Sequence, residues 1–495
     1  MSGIGKYLVA GAAEAIENGR GGEVIGVLER AMYENPSDAS AIYLMGVVMM
    51  QGETPGLAYQ LFKRCTEIEP TVATHWNSLG RACQYLQRYD EAWACLETAH
   101  KLAPDDPVIV NNRGLCLLNQ GRPDEALALF ERAADASPEL EPLIEENVGT
   151  AHLALGNWRQ GWIGYERALE GQHRTDKKYG PNARRWPGLP KPANIGGVSY
   201  EDFGFGSASG PPIEPARTLI VHGEQGIGDE VLFASMIPDL IASDPAREII
   251  IDCRHGLAGL FERSFPSARV YATRSDEIPH WYDPGKPYDV VAVGSLGQYF
   301  RNSEAAFPGT PYLKPCPMRH FENKCLFRAG KRAPVIGVAW TGGKHNTGER
   351  EKSLPLDDLL PLFRALPGAQ FVSLEYKDRG QQIEAFAREH SIHLAHLPWK
   401  TVTSDYDDTA ALVAACDAVV SCMTSVAHLA SALGVQTHMM LPDQPQPSWR
   451  YHGRDKHIPW YSCLKLHRKA GRPWHEVAAD IGAELAADFK MSEVA

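Results

Sequence analysis

Over the first 175 residues, apolar and small side chains recur at helical spacing, and that pattern itself repeats every 34 residues. Gly46, Gly80 and Gly114 share one place in the repeat, Ala58, Ala92 and Ala126 a second, and Phe62, Leu96 and Phe130 a third. Pro36, Pro70, Pro104 and Pro138 share a fourth, and a further unit follows one residue out of step with Gly149, Gly156, Trp158, Tyr165 and Ala168. Beyond residue 217 the texture changes. Short apolar runs such as TLIVH, EIIID and DVVAV alternate with helical patterns such as EVLFASMIPDLIA and GLAGLFERSF, as strand–helix–strand units do. A second series of the same kind starts at PVIGVAW (334–340) and runs through QFVSL, IHLAHL, DAVVS and QTHMML.

The 34-residue period places small residues where two helices of a tetratricopeptide repeat touch, an aromatic or Leu in the space between them, and Pro after the second helix. An ordinary helical bundle would not keep four positions in register for a hundred residues. About five such repeats are predicted over residues 1–175, forming an α-solenoid. Its concave surface suits a protein or peptide partner. Cys65, Cys83, Cys95 and Cys116 fall on these helices and read as small buried hydrophobes. Residues 176–216, dense in Gly, Pro and Ser, read as a linker. The two α/β series are assigned to 217–320 and 321–495, giving an α + α/β chain with two Rossmann-like halves facing one another across a cleft.

Bulk chemistry narrows the function. Acids outnumber bases 61 to 49, for a formal net charge of −12, which disfavours nucleic acid as a partner. No apolar run reaches the roughly 20 residues of a membrane span, and the N-terminus lacks the pattern of a signal peptide. The ten cysteines include no CxxC and no paired Cys/His spacing, so neither a disulfide framework nor a zinc site is expected. A cytoplasmic location follows as the simplest expectation.

The stretch TLIVHGEQGIGDEVLF (218–233) offers the first chemistry. Gly223, Gly226 and Gly228 stand at relative positions 0, 3 and 5, a poor match to the 0, 2, 5 of a dinucleotide fingerprint. Asp229 and Glu230 follow in the first helical turn, where they would repel a pyrophosphate. Asp252, ending the next strand, keeps the dinucleotide alternative open as a ribose ligand. Both acids have a plain reading as helix caps. Because its turn lies at a strand's C-terminal end, Asp229 is also the candidate base for deprotonating a hydroxyl, and Glu224, Gln225, Gly226 and Gly228 shape the acceptor-side turn.

The second half offers the complementary charge. Thr341, Gly342 and Gly343 end a strand and lead into Lys344, His345, Arg350 and Lys352, with Ser353 placed to cap the next helix. Glycine backbone and basic side chains together suit a diphosphate, against the plain reading of a solvated loop. Thr424 and Ser425 open a second helix start whose N–H groups suit an anion, with His428 one turn in. DYDD (405–408) contains a metal-binding DxD pattern but directly precedes a helix, where Asp407 or Asp408 would be the cap. No metal and no cofactor beyond a donor substrate is expected.

The segments HGEQGIGDEVLFASMIPDL, VIGVAWTGG, SLPLDDLLPLF, FVSLEYKD, DYDDTAALVAACDAVVS and TSVAHLASALG, with Pro459, Trp460 and Tyr461 near the end, resemble the catalytic part of bacterial tetratricopeptide–glycosyltransferase fusions. That part is similar to the heptosyltransferase family (glycosyltransferase family 9-like) and implies a GT-B fold. The resemblance spans roughly residues 216–480. It implies Asp229 as the base and the 424–428 helix start as the donor-diphosphate motif, in which Ser425 replaces Gly and Met423 stands where Asp is usual. It further implies metal-independent transfer from a nucleotide sugar to a hydroxyl of a protein such as flagellin, held by the repeats. The alternatives are a heptosyltransferase-like enzyme acting on a glycan or lipid-linked acceptor, an inactive binding or scaffold protein, and a nicotinamide-dependent oxidoreductase.

Overall fold

The computed structural model describes residues 11–137, 141–170, 179–189, 217–328, 333–343, 352–443 and 449–490, except the single positions 17, 53, 181, 276, 278, 452, 454 and 455. The chain forms two compact units. One takes the chain up to Ala168 together with Pro442–Gly453, and the other takes Leu169–Leu441 and the chain from Arg454 onward.

In the first unit α1 (Ile25–Glu34) leads into four antiparallel helix pairs: α2 (Ala39–Gln51) with α3 (Pro55–Ile68), α4 (Ala73–Tyr85) with α5 (Tyr89–Leu102), α6 (Pro107–Asn119) with α7 (Pro123–Ala136), and α8 (Glu141–Leu155) with α9 (Trp158–Glu170). The 34-residue period is therefore the spacing of whole helix pairs. Asp38 and Asp106 cap α2 and α6, each accepting two backbone N–H bonds at 2.9–3.3 Å. The repeating glycines mark where the paired helices touch. A Cβ on Gly46 or Gly114 would lie 2.5 Å from the ring of Phe62 or Phe130, and one on Gly80 would lie 2.7 Å from Leu96. In the last pair two glycines meet directly, since a Cβ on Gly149 would lie 2.5 Å from Cα of Gly164.

Successive first helices are also stitched by polar side chains. Ser78 donates to the Tyr43 hydroxyl at 3.2 Å, Asn112 to the Asn77 carbonyl oxygen at 2.9 Å, and Asn147 to that of Asn111 at 2.9 Å. The asparagines are buried, and each of these amide bonds satisfies polar atoms that would otherwise be stranded away from water. The four repeat cysteines are buried as expected of small hydrophobes, and burial pushes the Cys65 thiol up to about 12 and that of Cys116 to about 11. Trp449 belongs to this unit, although it comes from far along the chain. Its ring meets Trp158, Trp162 and Tyr165 edge to face at 6.4, 5.6 and 6.2 Å.

The second unit contains two parallel sheets. The first has the order β1-β5-β2-β3-β4, built from Ala183–Arg185, Thr218–His222, Glu248–Asp252, Arg269–Tyr271 and Tyr288–Ala292 for β1 to β5. The second has the order β11-β10-β9-β6-β7-β8, built from Val335–Ala339, Gln370–Ser373, Leu394–Ala395, Ala418–Cys422, Gln436–Leu441 and Leu464–Arg468 for β6 to β11. Central strands are buried along their length, which is why they read as unbroken apolar runs. Two expected boundaries move. Residues 183–185, inside the stretch read as linker, pair with β5 as an edge strand, and Pro442–Gly453 joins the repeat unit instead of the C-terminal half.

The helices that matter for the site are α10 (Ile227–Phe233), α11 (Ala258–Ser264), α12 (Pro317–Arg328), α13 (Tyr406–Val413), α14 (Ser425–Ala432) and α15 (Trp474–Asp488). The α15 residues Trp474, Val477, Ile481 and Leu485 share a core with Trp340, Leu362 and Phe363 over the second sheet.

The glycine contacts give a direct stability test. Gly114→Ala pushes a methyl group into the buried Phe130 ring and is expected to cost about 1–3 kcal/mol. Gly26→Ala, where no atom lies within 4 Å, is expected to stabilise by about 0.4–1 kcal/mol. Urea midpoints of the two variants should move in opposite directions.

Candidate functional site

The turn after β2 is built on buried carboxylates. Glu224 is fully buried and accepts the Gly294 N–H at 2.9 Å. Gln225 takes a left-handed conformation with φ of 56°, unusual for a side chain of its size, and its carbonyl is held by the guanidinium groups of Arg254 and Arg274 at 3.1 and 2.9 Å. The same two residues satisfy Glu230. Oε2 accepts the Arg254 backbone N–H at 3.0 Å, and Oε1 pairs with the Arg274 side chain and lies 3.5 Å from Nε of Arg254. Desolvation pushes the Glu230 carboxyl upward, and Arg274 opposes that shift. Glu230 thus braces the turn.

Asp229, half-buried at the third position of α10, accepts the Gly226 N–H through Oδ2 at 3.2 Å. The capping role read for this acid is realised. Next to it Gly228 faces residues of the other sheet. A Cβ there would lie 3.4 Å from Cα of Ser425 and 3.5 Å from Cδ2 of His428. The turn of the first sheet and the N-terminus of α14 are therefore in contact.

On the second sheet, the loop after β6 is fixed from below by Glu375, which accepts the N–H groups of Trp340 and Thr341 at 2.7 and 2.8 Å. Glu375 is fully buried, and desolvation raises its carboxyl despite these bonds. Arg379 donates to the Thr341 hydroxyl at 3.1 Å. The Ser353 hydroxyl accepts the Gly342 N–H at 3.0 Å, so this residue ties the loop closed in place of the helix cap expected of it. A Cβ at Gly342 would lie 3.1 Å from the Met423 carbonyl oxygen and 3.0 Å from that of Lys352. This close approach brings the 341–343 loop against the residue preceding Thr424. Gly343 has a φ of 75° and its carbonyl accepts the Tyr376 hydroxyl at 2.6 Å.

Thr424 is the extended N-cap of α14, and its hydroxyl lies 2.9 Å from that of Ser421. His428 is buried, with its ring 5.8 Å from that of Tyr461. The Tyr461 hydroxyl in turn lies 3.4 Å from the Tyr312 hydroxyl, which donates to the Val231 carbonyl of α10 at 2.5 Å. The structure thus gathers Asp229, Gly228, Thr341, Gly342, Gly343, Thr424, Ser425 and His428 on three adjoining strand-end segments. Lys344 and Arg350 lie outside the described residues, as does His345.

Several sequence readings change. DYDD caps α13 through Asp405, whose Oδ1 accepts the Asp407 N–H at 3.0 Å, so neither Asp407 nor Asp408 is the cap. Its acids are engaged by arginines, Asp405 and Asp408 by Arg319 of α12 at 2.7 and 3.3 Å and Asp407 by Arg263 of α11. Asp252 is no ribose ligand. It is fully buried and accepts from the Tyr179 hydroxyl at 2.7 Å and from Thr273 N–H and hydroxyl at 3.0 and 2.9 Å. Glu375, Arg379, Arg254 and Arg274 were not singled out in the sequence. The only signal for the first two is their place in LEYKDR directly after a buried strand.

Among known proteins, residues 77–141 match a tetratricopeptide repeat model. The chain is 28% identical over 443 residues to Protein FlbA of Caulobacter vibrioides, covering 87% of this chain and 70% of the relative. Solved structures with likeness include a thermophilic TPR protein of Thermus thermophilus (21% identity, TM-score 0.31, 34% of this chain and 90% of that one) and YrrB, a TPR protein with an unusual peptide-binding site (21%, 0.27, 34% and 85%). Among the described residues no helix is long and apolar enough to cross a membrane.

The two neighbouring acids should separate cleanly in a stability experiment. Glu230→Ala leaves the largely buried Arg274 guanidinium without its carboxylate partner and is expected to cost about 3–5 kcal/mol. Asp229→Ala removes the cap on the Gly226 N–H, worth about 0.5–2 kcal/mol. Urea denaturation of both variants measures the difference.

Proposed function

We propose that this chain is a metal-independent glycosyltransferase of GT-B type, moving a sugar from a nucleotide-sugar donor to a hydroxyl of a protein acceptor recruited by the repeats. The observation that carries the reading is the contact between the Gly228–Asp229 turn and the start of α14. It brings the turn that carries Asp229 against a helix N-terminus, which supports a pairing of the two groups that glycosyl transfer requires. One must accept a proton and the other must stabilise a leaving phosphate.

In this scheme the acceptor hydroxyl gives its proton to Asp229 as its oxygen bonds to the sugar's anomeric carbon. The bond from that carbon to the diphosphate oxygen breaks, and the negative charge stays on the diphosphate. The first N–H groups of α14, the hydroxyls of Thr424 and Ser425, and the cations Lys344, Arg350 and Lys352 take up that charge. Thr341, Gly342 and Gly343 let the backbone approach the donor closely. Arg379, fixed on the Thr341 hydroxyl, adds a positive charge beside them. His428 supports the same helix turn. Flagellin is the acceptor class the family resemblance suggests, with the repeats presenting the surface that recruits it.

A scaffold that has lost catalysis is the second reading. It is favoured by Met423, which stands where the resembling family has Asp.

Intact-mass spectrometry of acceptor proteins co-expressed with the wild type and with Asp229→Ala tests the proposal. A mass increment of one sugar is expected with the wild type and at least a roughly 100-fold lower yield with the variant, the size of a lost general base. Thermal-shift screening against nucleotide sugars should show equal donor stabilisation of both proteins. Equal sugar addition by both removes Asp229 from the mechanism, and donor binding with no transfer to any acceptor supports the scaffold.

A further inference from the structure

A second cluster lies outside the candidate site, where α15 covers the edge of the six-stranded sheet. His438 on β10 and His467 on β11 lie on adjoining parallel strands, and the pairing of Met440 with His467 puts the two histidines on one face, one same-face step apart. Glu484 reaches them from α15. Nδ1 of His438 and Nε2 of His467 are 2.9 Å apart, and Oε2 of Glu484 is 3.9 Å from the first and 4.0 Å from the second. We propose that these three atoms ligate a divalent transition-metal ion of the zinc type, which clamps the last helix to the sheet edge.

The geometry is what carries the assignment. A point equidistant from the three atoms lies about 2.1 Å from each, inside the roughly 2.0–2.2 Å range of zinc–nitrogen and zinc–carboxylate bonds. The two ring nitrogens need to part by only a few tenths of an ångström to reach tetrahedral spacing. Two imidazoles and one carboxylate select zinc and its neighbours over magnesium or calcium, which prefer oxygen-only sites. Three protein ligands leave a fourth position for water.

The surroundings fit a cation. His438 is fully buried and the His467 side chain is only 15% exposed, so both rings are set apart from bulk water. The charged groups facing the pair are Glu484, Asp480 and Asp488 against Lys465 and Lys456, an excess of one negative charge. Lys465 pairs with Oε1 of Glu484, which leaves Oε2 turned toward the imidazoles. With Nδ1 of His438 ligating, its Nε2 carries the ring proton. The Gln436 amide nitrogen, 3.2 Å from that atom and donating to Asp488 Oδ2 at 2.7 Å, must swing aside when Nε2 becomes a donor.

Nothing along the chain pointed to this cluster, because its histidines are 29 residues apart and its acid sits on another element. The metal-free rival is a plain imidazole–imidazole hydrogen bond. Full-length protein, stripped with a chelator, is titrated calorimetrically with zinc chloride, and the cobalt-loaded form is examined by visible absorption. One bound equivalent, tetrahedral cobalt bands and a rise in melting temperature with zinc are expected for the wild type. His467→Ala should lose the equivalent and the rise, and Glu484→Gln, at the most exposed ligand, should bind at least roughly ten-fold more weakly with its fold intact. Absence of zinc binding by the wild type, or equal stoichiometry and affinity in the wild type and Glu484→Gln, overturns the proposal.

Discussion

Buried glutamates hold the strand-end turns of both sheets, and the candidate site keeps its shape only while they are satisfied. A carboxylate taken out of water costs several kcal/mol unless donors surround it. Here the donors include backbone N–H groups of the loops themselves. Glu224 takes Gly294, Glu230 takes Arg254, and Glu375 takes Trp340 and Thr341. Each loop is therefore tied to a charge that has nowhere else to go. The raised carboxyls of Glu230 and Glu375 show that desolvation is the largest influence on both, so the bonds offset a standing cost.

Contact between the sheets follows from small residues placed on those braced turns. Gly228 lets α10 approach α14, Gly342 lets one loop rest on the Met423 carbonyl, and Gly256 approaches the Ser404 carbonyl, where a Cβ would lie only 2.4 Å away. Arginines finish the join. Arg263 and Arg319 gather the acids of DYDD, so a motif that looks like a metal site on paper serves here to hold α11, α12 and α13 together.

How much of this could be read beforehand depends on how local the cause is. The repeat period was legible because the first three pairs each bury a glycine at one repeat position against the side chain at another, and spacing in the sequence equals spacing in the solenoid. The Ser78–Tyr43, Asn112–Asn77 and Asn147–Asn111 bonds were not, because donor and acceptor occupy different places in the repeat. The 223–229 turn and the 424–428 helix start were legible as glycines and hydroxyls at strand ends. Glu375 and Arg379 were hidden, since an acid after a strand looks exposed until the loop that it supports is seen to cover it. The cap of α13 was misplaced because three acids in four positions compete for it, and only the backbone turn decides.

Trp449 shows that the repeat unit is not a contiguous length of chain. Its cage of Trp158, Trp162 and Tyr165 is laid down with the last repeat, but the ring that fills it follows β10 and arrives only after nearly all of the second sheet has been made. A nascent chain leaving the ribosome must therefore carry an unfilled aromatic cleft at the end of its solenoid through most of translation. The last repeat completes its aromatic packing only when the α/β region is nearly complete, which couples that region's synthesis to the maturation of the helical unit.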